Sequence, residues 1–70
     1  MAFKHGSGPW QGYTEVEGKL LGDSGRAYFV ELDGGRREWF PHSAASIETL
    51  KGGRVAVIMK PWVAREKGFA

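Results

Sequence analysis

Residues 26–43 predict a β-hairpin. Two short runs of alternating apolar and polar residues flank Asp33-Gly34-Gly35, which matches a three-residue hairpin loop with a glycine in the left-handed conformation. This loop sets the cross-strand pairs, which are Leu32 with Arg36, Glu31 with Arg37, Phe29 with Trp39, and Tyr28 with Phe40. A two-residue loop would shift the pairing by one residue, so the outward position of Trp39 depends on the turn.

The predicted register gives the hairpin an apolar inner face and a mixed outer face. The outer face is the wet one because it carries Glu31, and it holds Phe29 beside Trp39 with Arg37 next to them. The inner face consists of Tyr28, Val30, Leu32 and Phe40. Only the outer face needs a partner to explain its residues.

The composition fits a single small β-rich domain. The chain has 70 residues, 11 glycines and nine aromatic residues (3 Trp, 2 Tyr and 4 Phe), which favour turns and strands over a helical bundle. A domain of this size buries only about 60% of the surface that its unfolded chain exposes. There is no cysteine, and His5 and His42 do not make a usual structural zinc site without thiolates. Oligomerisation is then the remaining common source of extra stability.

The other elements follow from alternation and turn residues. Trp10, Val16 and Leu20 share one parity, which predicts a first strand, bent at Gly18. Ser43 and Ser46 resemble caps of a short 3₁₀ turn, with Ile47 returning to the core. A further strand covers residues 54–59, and a short helix covers residues 62–67 with Pro61 at its start.

The strand at residues 54–59 is apolar on both parities, so it is either covered on both sides by its own chain or buried at an oligomer interface. The residues of that second interpretation are Val55, Val57, Ile58 and Met59.

The predicted fold class is all-β. Four to five antiparallel strands with a 3₁₀ turn and a short C-terminal helix describe a small SH3-like barrel, with an OB-like barrel as the alternative. We expect residues 1–9 to form a flexible N-terminal lead and residues 10–70 to form one domain. The sequence has no signal-peptide pattern and no apolar run of membrane-spanning length, which predicts a cytoplasmic protein without a membrane partner.

Several segments resemble a known group of proteins. Residues 26–34 read R-A-Y-F-V-E-L-D-G, residues 38–43 read E-W-F-P-H-S, and residues 61–69 read P-W-V-A-R-E-K-G-F. Together with G-K-L-L at residues 18–21, these motifs resemble a group of short uncharacterised bacterial, phage and mobile-element proteins, over roughly two thirds of the chain. Arg26 stands where the group usually has lysine, and His42 where it often has lysine. The resemblance implies a small accessory protein but no settled activity.

No residue pattern predicts catalysis, a cofactor or a metal. The carboxylates fall mainly on wet faces or in turns, where nothing shifts their pKa towards general acid or base work. His42 and Ser43 are adjacent on an extended chain and therefore point to opposite faces, whereas a nucleophile and its base must converge. The glycine-rich stretches lack the lysine and the helix of a phosphate-binding loop. We therefore predict a non-enzymatic protein.

The outer face of the hairpin is the candidate partner-binding site. Phe29 and Trp39 form its apolar surface, and the arginines close enough to flank it are Arg26, Arg36 and Arg37. Aromatic and arginine side chains favour a protein contact or self-association. The same residues suit a nucleic-acid-binding module in which the aromatics stack on bases and Arg36, Arg37, Lys60 and Arg65 contact phosphates. In a third interpretation Trp39 only covers the barrel. The formal charge of +2 is too small to decide between them.

Overall fold

The computed structural model describes residues 12–69, which form an antiparallel five-stranded sheet and one short helix. The strands are β1 (Thr14–Asp23), β2 (Ala27–Leu32), β3 (Arg37–Pro41), β4 (Ala45–Thr49) and β5 (Val55–Met59). A 3₁₀ turn (Lys51–Gly53) precedes β5, and the helix α1 (Pro61–Lys67) follows it. The strand order is β3-β2-β1-β5-β4. The mainly antiparallel β class and the short C-terminal helix are confirmed, whereas the predicted lead at residues 1–9 and Trp10 lie outside the described residues.

The long strand β1 changes partner at Gly18. Its first half pairs with β5 from Thr14 to Gly18, and its second half pairs with β2 from Gly18 to Asp23. A Cβ atom on Gly18 would lie 2.2 Å from the carbonyl oxygen of Glu31. Only glycine therefore allows the two strands to approach so closely at the position where the sequence predicts a bend.

The predicted hairpin register is confirmed. Phe29 lies opposite Trp39, Glu31 opposite Arg37, and Tyr28 opposite Phe40. The loop is closed by two hydrogen bonds, from the Leu32 N–H to the Arg36 carbonyl (2.7 Å) and from the Gly35 N–H to the Leu32 carbonyl (2.9 Å). Gly34 and Gly35 both have positive φ, which explains why this loop uses glycine.

The core lies between the inner face of the sheet and α1. Its buried residues are Val30, Leu32, Phe40, Ala44, Ala45, Val55, Val57, Met59, Val63 and Ala64, with Tyr28, Ile47 and Phe69 packed against them. Strand β5 pairs with β1 on one side and with β4 on the other. The side chains of Val55, Val57 and Met59 are buried in the core of the same chain, and Ile58 is half-buried. The apolar pattern of this strand needs no second chain.

The segment after Pro41 differs from the prediction. The 3₁₀ turn expected around Ala44 and Ala45 is instead a reverse turn, in which the Ala44 N–H donates to the Pro41 carbonyl, followed at once by β4. Ala45 and Ile47 alternate inward along this strand opposite Met59 and Val57 of β5. Pairing with β5, the next strand along the chain, outweighed the capping pattern of residues 43–46.

The helix forms as predicted. Pro61 occupies its first turn, Arg65 and Lys67 lie in its last turn, and Gly68 ends it in the left-handed conformation. Its buried side chains are Val63 and Ala64. Among residues 12–69, no helix has the length and apolar character to span a lipid bilayer.

Candidate functional site

Phe29 and Trp39 form a stacked pair on the outer side of the β2–β3 hairpin. Their ring centroids are 4.6 Å apart and their planes differ by 29°. Trp39 remains 47% exposed. On the other side of Phe29, the residue opposite it on β1 is Gly22, which has no side chain to cover the ring. The pair therefore presents flat apolar surface to solvent, and we call Phe29, Trp39, Glu31 and Arg37 the aromatic face.

The charges on this face are already paired. The Nε atom of Arg37 donates to Oε2 of Glu31 over 3.3 Å, and Lys19 lies opposite Glu31 on the neighbouring strand β1. An exposed ion pair of this kind contributes only about 0–1 kcal/mol to stability. Because the two charges compensate each other, Glu31 and Arg37 together add no net charge to the rim of the aromatic pair.

Arg36 lies on the opposite side of β3. Its guanidinium group donates to Glu38 over 2.8 Å and to the main-chain carbonyl of Lys67, and its Cζ atom lies 4.5 Å from the centroid of the Phe69 ring. Successive side chains on a strand point to opposite faces, so Arg36 and Glu38 face the end of α1. The structure does not bring Arg36 beside the aromatic pair, where the sequence places it.

The carboxyl group of Glu38 is held by the same contacts. The hydrogen bond from Arg36 lowers the pKa of Glu38 below its ordinary value, against a smaller opposing effect of burial. Lys67 adds a second cation, with its Nζ atom 3.4 Å from Oε1 of Glu38. This cluster joins the start of β3 to the C-terminal residues.

The remaining predicted cations lie outside β2 and β3, the strands that carry the aromatic pair. Arg26 is exposed immediately before β2, and its main-chain carbonyl accepts the His42 N–H over 2.8 Å. Lys60 and Arg65 are exposed at the start and in the last turn of α1. Lys67, which was not among the predicted site residues, is the helix lysine that contacts the hairpin.

The sequence did not predict a contact that His42 makes. Its Nε2 atom lies 2.8 Å from Oδ1 of Asp23, and its ring centroid is 4.2 Å from that of Tyr28. Asp23 lies opposite Tyr28 in the β1–β2 ladder, a register that local sequence patterns do not give. The contact connects His42, in the turn after β3, to Asp23 at the end of β1.

Chemical groups for a metal site are lacking in the part of the chain that the structure describes. No cluster of three or more histidine, aspartate or glutamate side chains with the geometry to hold an ion occurs between residues 12 and 69.

Comparisons with protein-family models, with curated proteins and with solved structures give no match to this chain.

Proposed function

We propose that this protein is a non-enzymatic interaction module that binds protein, either a second copy or another chain, through its aromatic face. The stacking of the half-buried Phe29 on the exposed Trp39 carries this proposal. Large aromatic side chains and arginine are enriched in the cores of protein interfaces, where a few of them supply most of the binding energy. Arg37 and Glu31 give the pair a polar rim in which both charges are already satisfied.

Binding of single-stranded nucleic acid is the second candidate. The exposed Trp39 ring suits base stacking, which contributes about 1–3 kcal/mol per base in proteins of this kind. Such proteins also need unpaired cations along the path of the backbone. Arg36 and Arg37 are each bound to a carboxylate of their own chain, and this favours a protein partner over phosphate.

We also propose that the sheet curls into a small SH3-like barrel rather than an OB-like one. The change of partner along β1 at Gly18 supports this, because one bent strand then belongs to both halves of the sheet. The resemblance of residues 26–43 and 61–69 to short phage and mobile-element proteins supports an accessory role for such a module.

The experiment uses a Trp10→Phe, Trp62→Phe variant, in which the only tryptophan emission comes from Trp39. Raising the chain concentration is expected to shift the emission to shorter wavelength, to a similar extent at low and moderate salt, because Trp39 becomes buried by protein. Short single-stranded DNA is expected to leave the emission unchanged.

A parallel titration of labelled single-stranded DNA with the unaltered chain tests the alternative. DNA binding that weakens steeply with salt and is abolished by Trp39→Ala would overturn the proposal in favour of nucleic acid. Trp62→Ala is the matched control, because Trp62 is 48% exposed but lies on α1.

A further inference from the structure

Strand β3 forms one edge of the sheet, and its hydrogen bonding shows which main-chain groups face outward. The Arg36 carbonyl accepts from the Leu32 N–H at one end of the hairpin, and the His42 N–H donates to the Arg26 carbonyl at the other. Hydrogen-bonded pairs alternate with non-hydrogen-bonded pairs along an antiparallel ladder. The main-chain groups of Arg37, Trp39 and Pro41 therefore point away from β2.

This outer edge is only partly protected. Among the described residues no strand pairs with it. Pro41 has no N–H to offer and so blocks the edge at its C-terminal end, but Arg37 and Trp39 each present a donor and an acceptor. Edges of this kind are templates for pairing with another strand. The side chains of the same two residues lie on the aromatic face.

We propose that the partner is a second copy of this chain, whose β3 pairs antiparallel with β3 so that Arg37 of each copy lies opposite Trp39 of the other. This inference rests on the proposed function and names its partner. The two-fold axis then passes beside Glu38, and the two Arg37–Trp39 pairs exchange four N–H···O hydrogen bonds. Centring the pairing on Trp39 instead would place Arg37 opposite Pro41 and leave the Arg37 carbonyl without a donor.

The charges of the aromatic face are complementary to themselves in this arrangement. A row across the joined sheets would run from Glu31 through Arg37 to Trp39 and Phe29 of the second copy. Arg37 would lie between the carboxylate that it already contacts and the ring of a tryptophan, a favourable place for a guanidinium group. A two-fold interface requires this kind of self-complementary surface.

Glu38 does not oppose the pairing. On the two-fold axis it would face its own copy, on the side of the sheet away from the aromatic face. Its carboxylate lies 2.8 Å from Arg36 and 3.4 Å from Lys67 within the chain, so each negative charge meets its counterpart already compensated. The contact at the axis would therefore not be one between two uncompensated carboxylates.

Amide hydrogen exchange of the unaltered chain, measured by NMR at several concentrations, tests the pairing. The Arg37 and Trp39 amides are expected to exchange about tenfold more slowly when nine-tenths of the chains are dimeric, since exchange then proceeds from the remaining monomer. The Glu38 and Phe40 amides face β2 and are expected to be protected at every concentration.

Arg37→Pro removes the outward donor, and Pro41 shows that this edge of β3 accepts proline. Arg37→Ala is the matched control, which removes the same side chain but keeps the N–H. Sedimentation equilibrium is expected to show dimerisation about tenfold or more weaker for the proline variant than for the alanine variant, because two hydrogen bonds per dimer are lost.

Two results would overturn the inference. A chain that stays monomeric at all concentrations has no second copy at this edge, and the DNA titration then decides the fate of the proposed function separately. A dimer that buries Trp39 while the Arg37 and Trp39 amides still exchange rapidly would overturn the strand pairing and leave the proposed function intact.

Discussion

Arg54 donates two hydrogen bonds to the carboxylate of Asp33, from Nη1 to Oδ1 over 3.0 Å and from Nη2 to Oδ2 over 2.8 Å. The same Nη2 atom lies 3.1 Å from Oε1 of Glu17 on β1. Bidentate pairs of this type fix geometry better than a single contact does. Arg54, the residue immediately before β5, is thus bonded both to the β2–β3 turn and to β1.

We expect Arg54→Ala to lower the melting temperature at neutral pH by a few degrees, since the network is exposed to solvent. The hydrogen bond from Arg54 holds the pKa of Asp33 below its ordinary value near 3.8. A carboxylate with a lowered pKa in the folded state stabilises the fold above its unfolded-state pKa and loses that effect as the pH falls through the folded-state value. The difference between the variant and the unaltered chain should therefore shrink below the ordinary pKa of Asp33.

Thermal unfolding followed by circular dichroism over a pH series measures this difference. Arg54→Lys keeps the positive charge without the planar pair of donors. Its melting temperature at neutral pH should lie between those of Arg54→Ala and the unaltered chain. A difference between Arg54→Ala and the unaltered chain that stayed constant into strong acid would show that the ionised carboxylate is not the partner that matters.

Gly18 is predicted to tolerate no side chain. Its Cβ would lie 2.2 Å from the Glu31 carbonyl oxygen and 2.8 Å from Cα of Leu32, both main-chain atoms that cannot move independently of the sheet. We expect Gly18→Ala to cost about 3 kcal/mol or more, a large part of the stability of so small a domain.

Gly22→Ala is the control for that change, because nothing lies within 4 Å of its added Cβ. Its free energy of unfolding should change by about 0.5 kcal/mol or less. Urea denaturation measures the free energy of unfolding of both variants. Equal losses of this free energy in Gly18→Ala and Gly22→Ala would contradict the close approach of the strands at Gly18.

Trp39→Ala is expected to affect binding much more than folding. The substitution removes a stacked aromatic pair worth about 0.5–1.5 kcal/mol beyond the area that it buries, together with the buried half of a side chain that is 47% exposed. Urea denaturation at a low chain concentration should therefore show a loss below the ~3–5 kcal/mol that is typical of a fully buried tryptophan. If Trp39→Ala unfolded the isolated chain, the ring would be a structural part of the domain rather than an exposed contact.

Phe69 should stabilise the domain although it lies outside α1. Its ring stacks on Phe40 with a centroid separation of 6.2 Å and lies under the guanidinium group of Arg36. We expect Phe69→Ala to cost about 2 kcal/mol, less than for a fully buried phenylalanine. Glu66→Ala, at an exposed position of α1, should be nearly neutral, and calorimetry of the two variants provides the comparison.

The hairpin shows how far local sequence patterns reach. Asp33-Gly34-Gly35 allows few loop geometries, and each of them fixes the pairing of the residues on either side. For this reason the stacking of Phe29 on Trp39 and the pairing of Glu31 with Arg37 were predictable without any knowledge of the rest of the fold. The helix limits, set by Pro61 and Gly68, were predictable on the same local grounds.

Strand β4 was not predictable in this way. Ser43 and Ser46 resemble helix caps, and the apolar residues between Ala44 and Ile47 are few. These residues form a strand because β5, which lies beyond the Lys51–Gly53 turn, offers them an edge and an apolar surface. The pattern of residues 43–47 alone does not show that β5 will pair with them.

The sequence was sufficient to place Trp39 on an outward-facing position of the hairpin, because loop length and strand periodicity are local properties. Strand alternation also puts Arg36 and Arg37 on opposite faces, but the partners of Arg36 were decided only by the folded chain. Arg37 stays with the aromatic face, whereas Arg36 turns to Glu38, Phe69 and the Lys67 carbonyl. That choice depends on where the C-terminal helix packs, and its packing is set by core contacts between residues that are far apart in the chain.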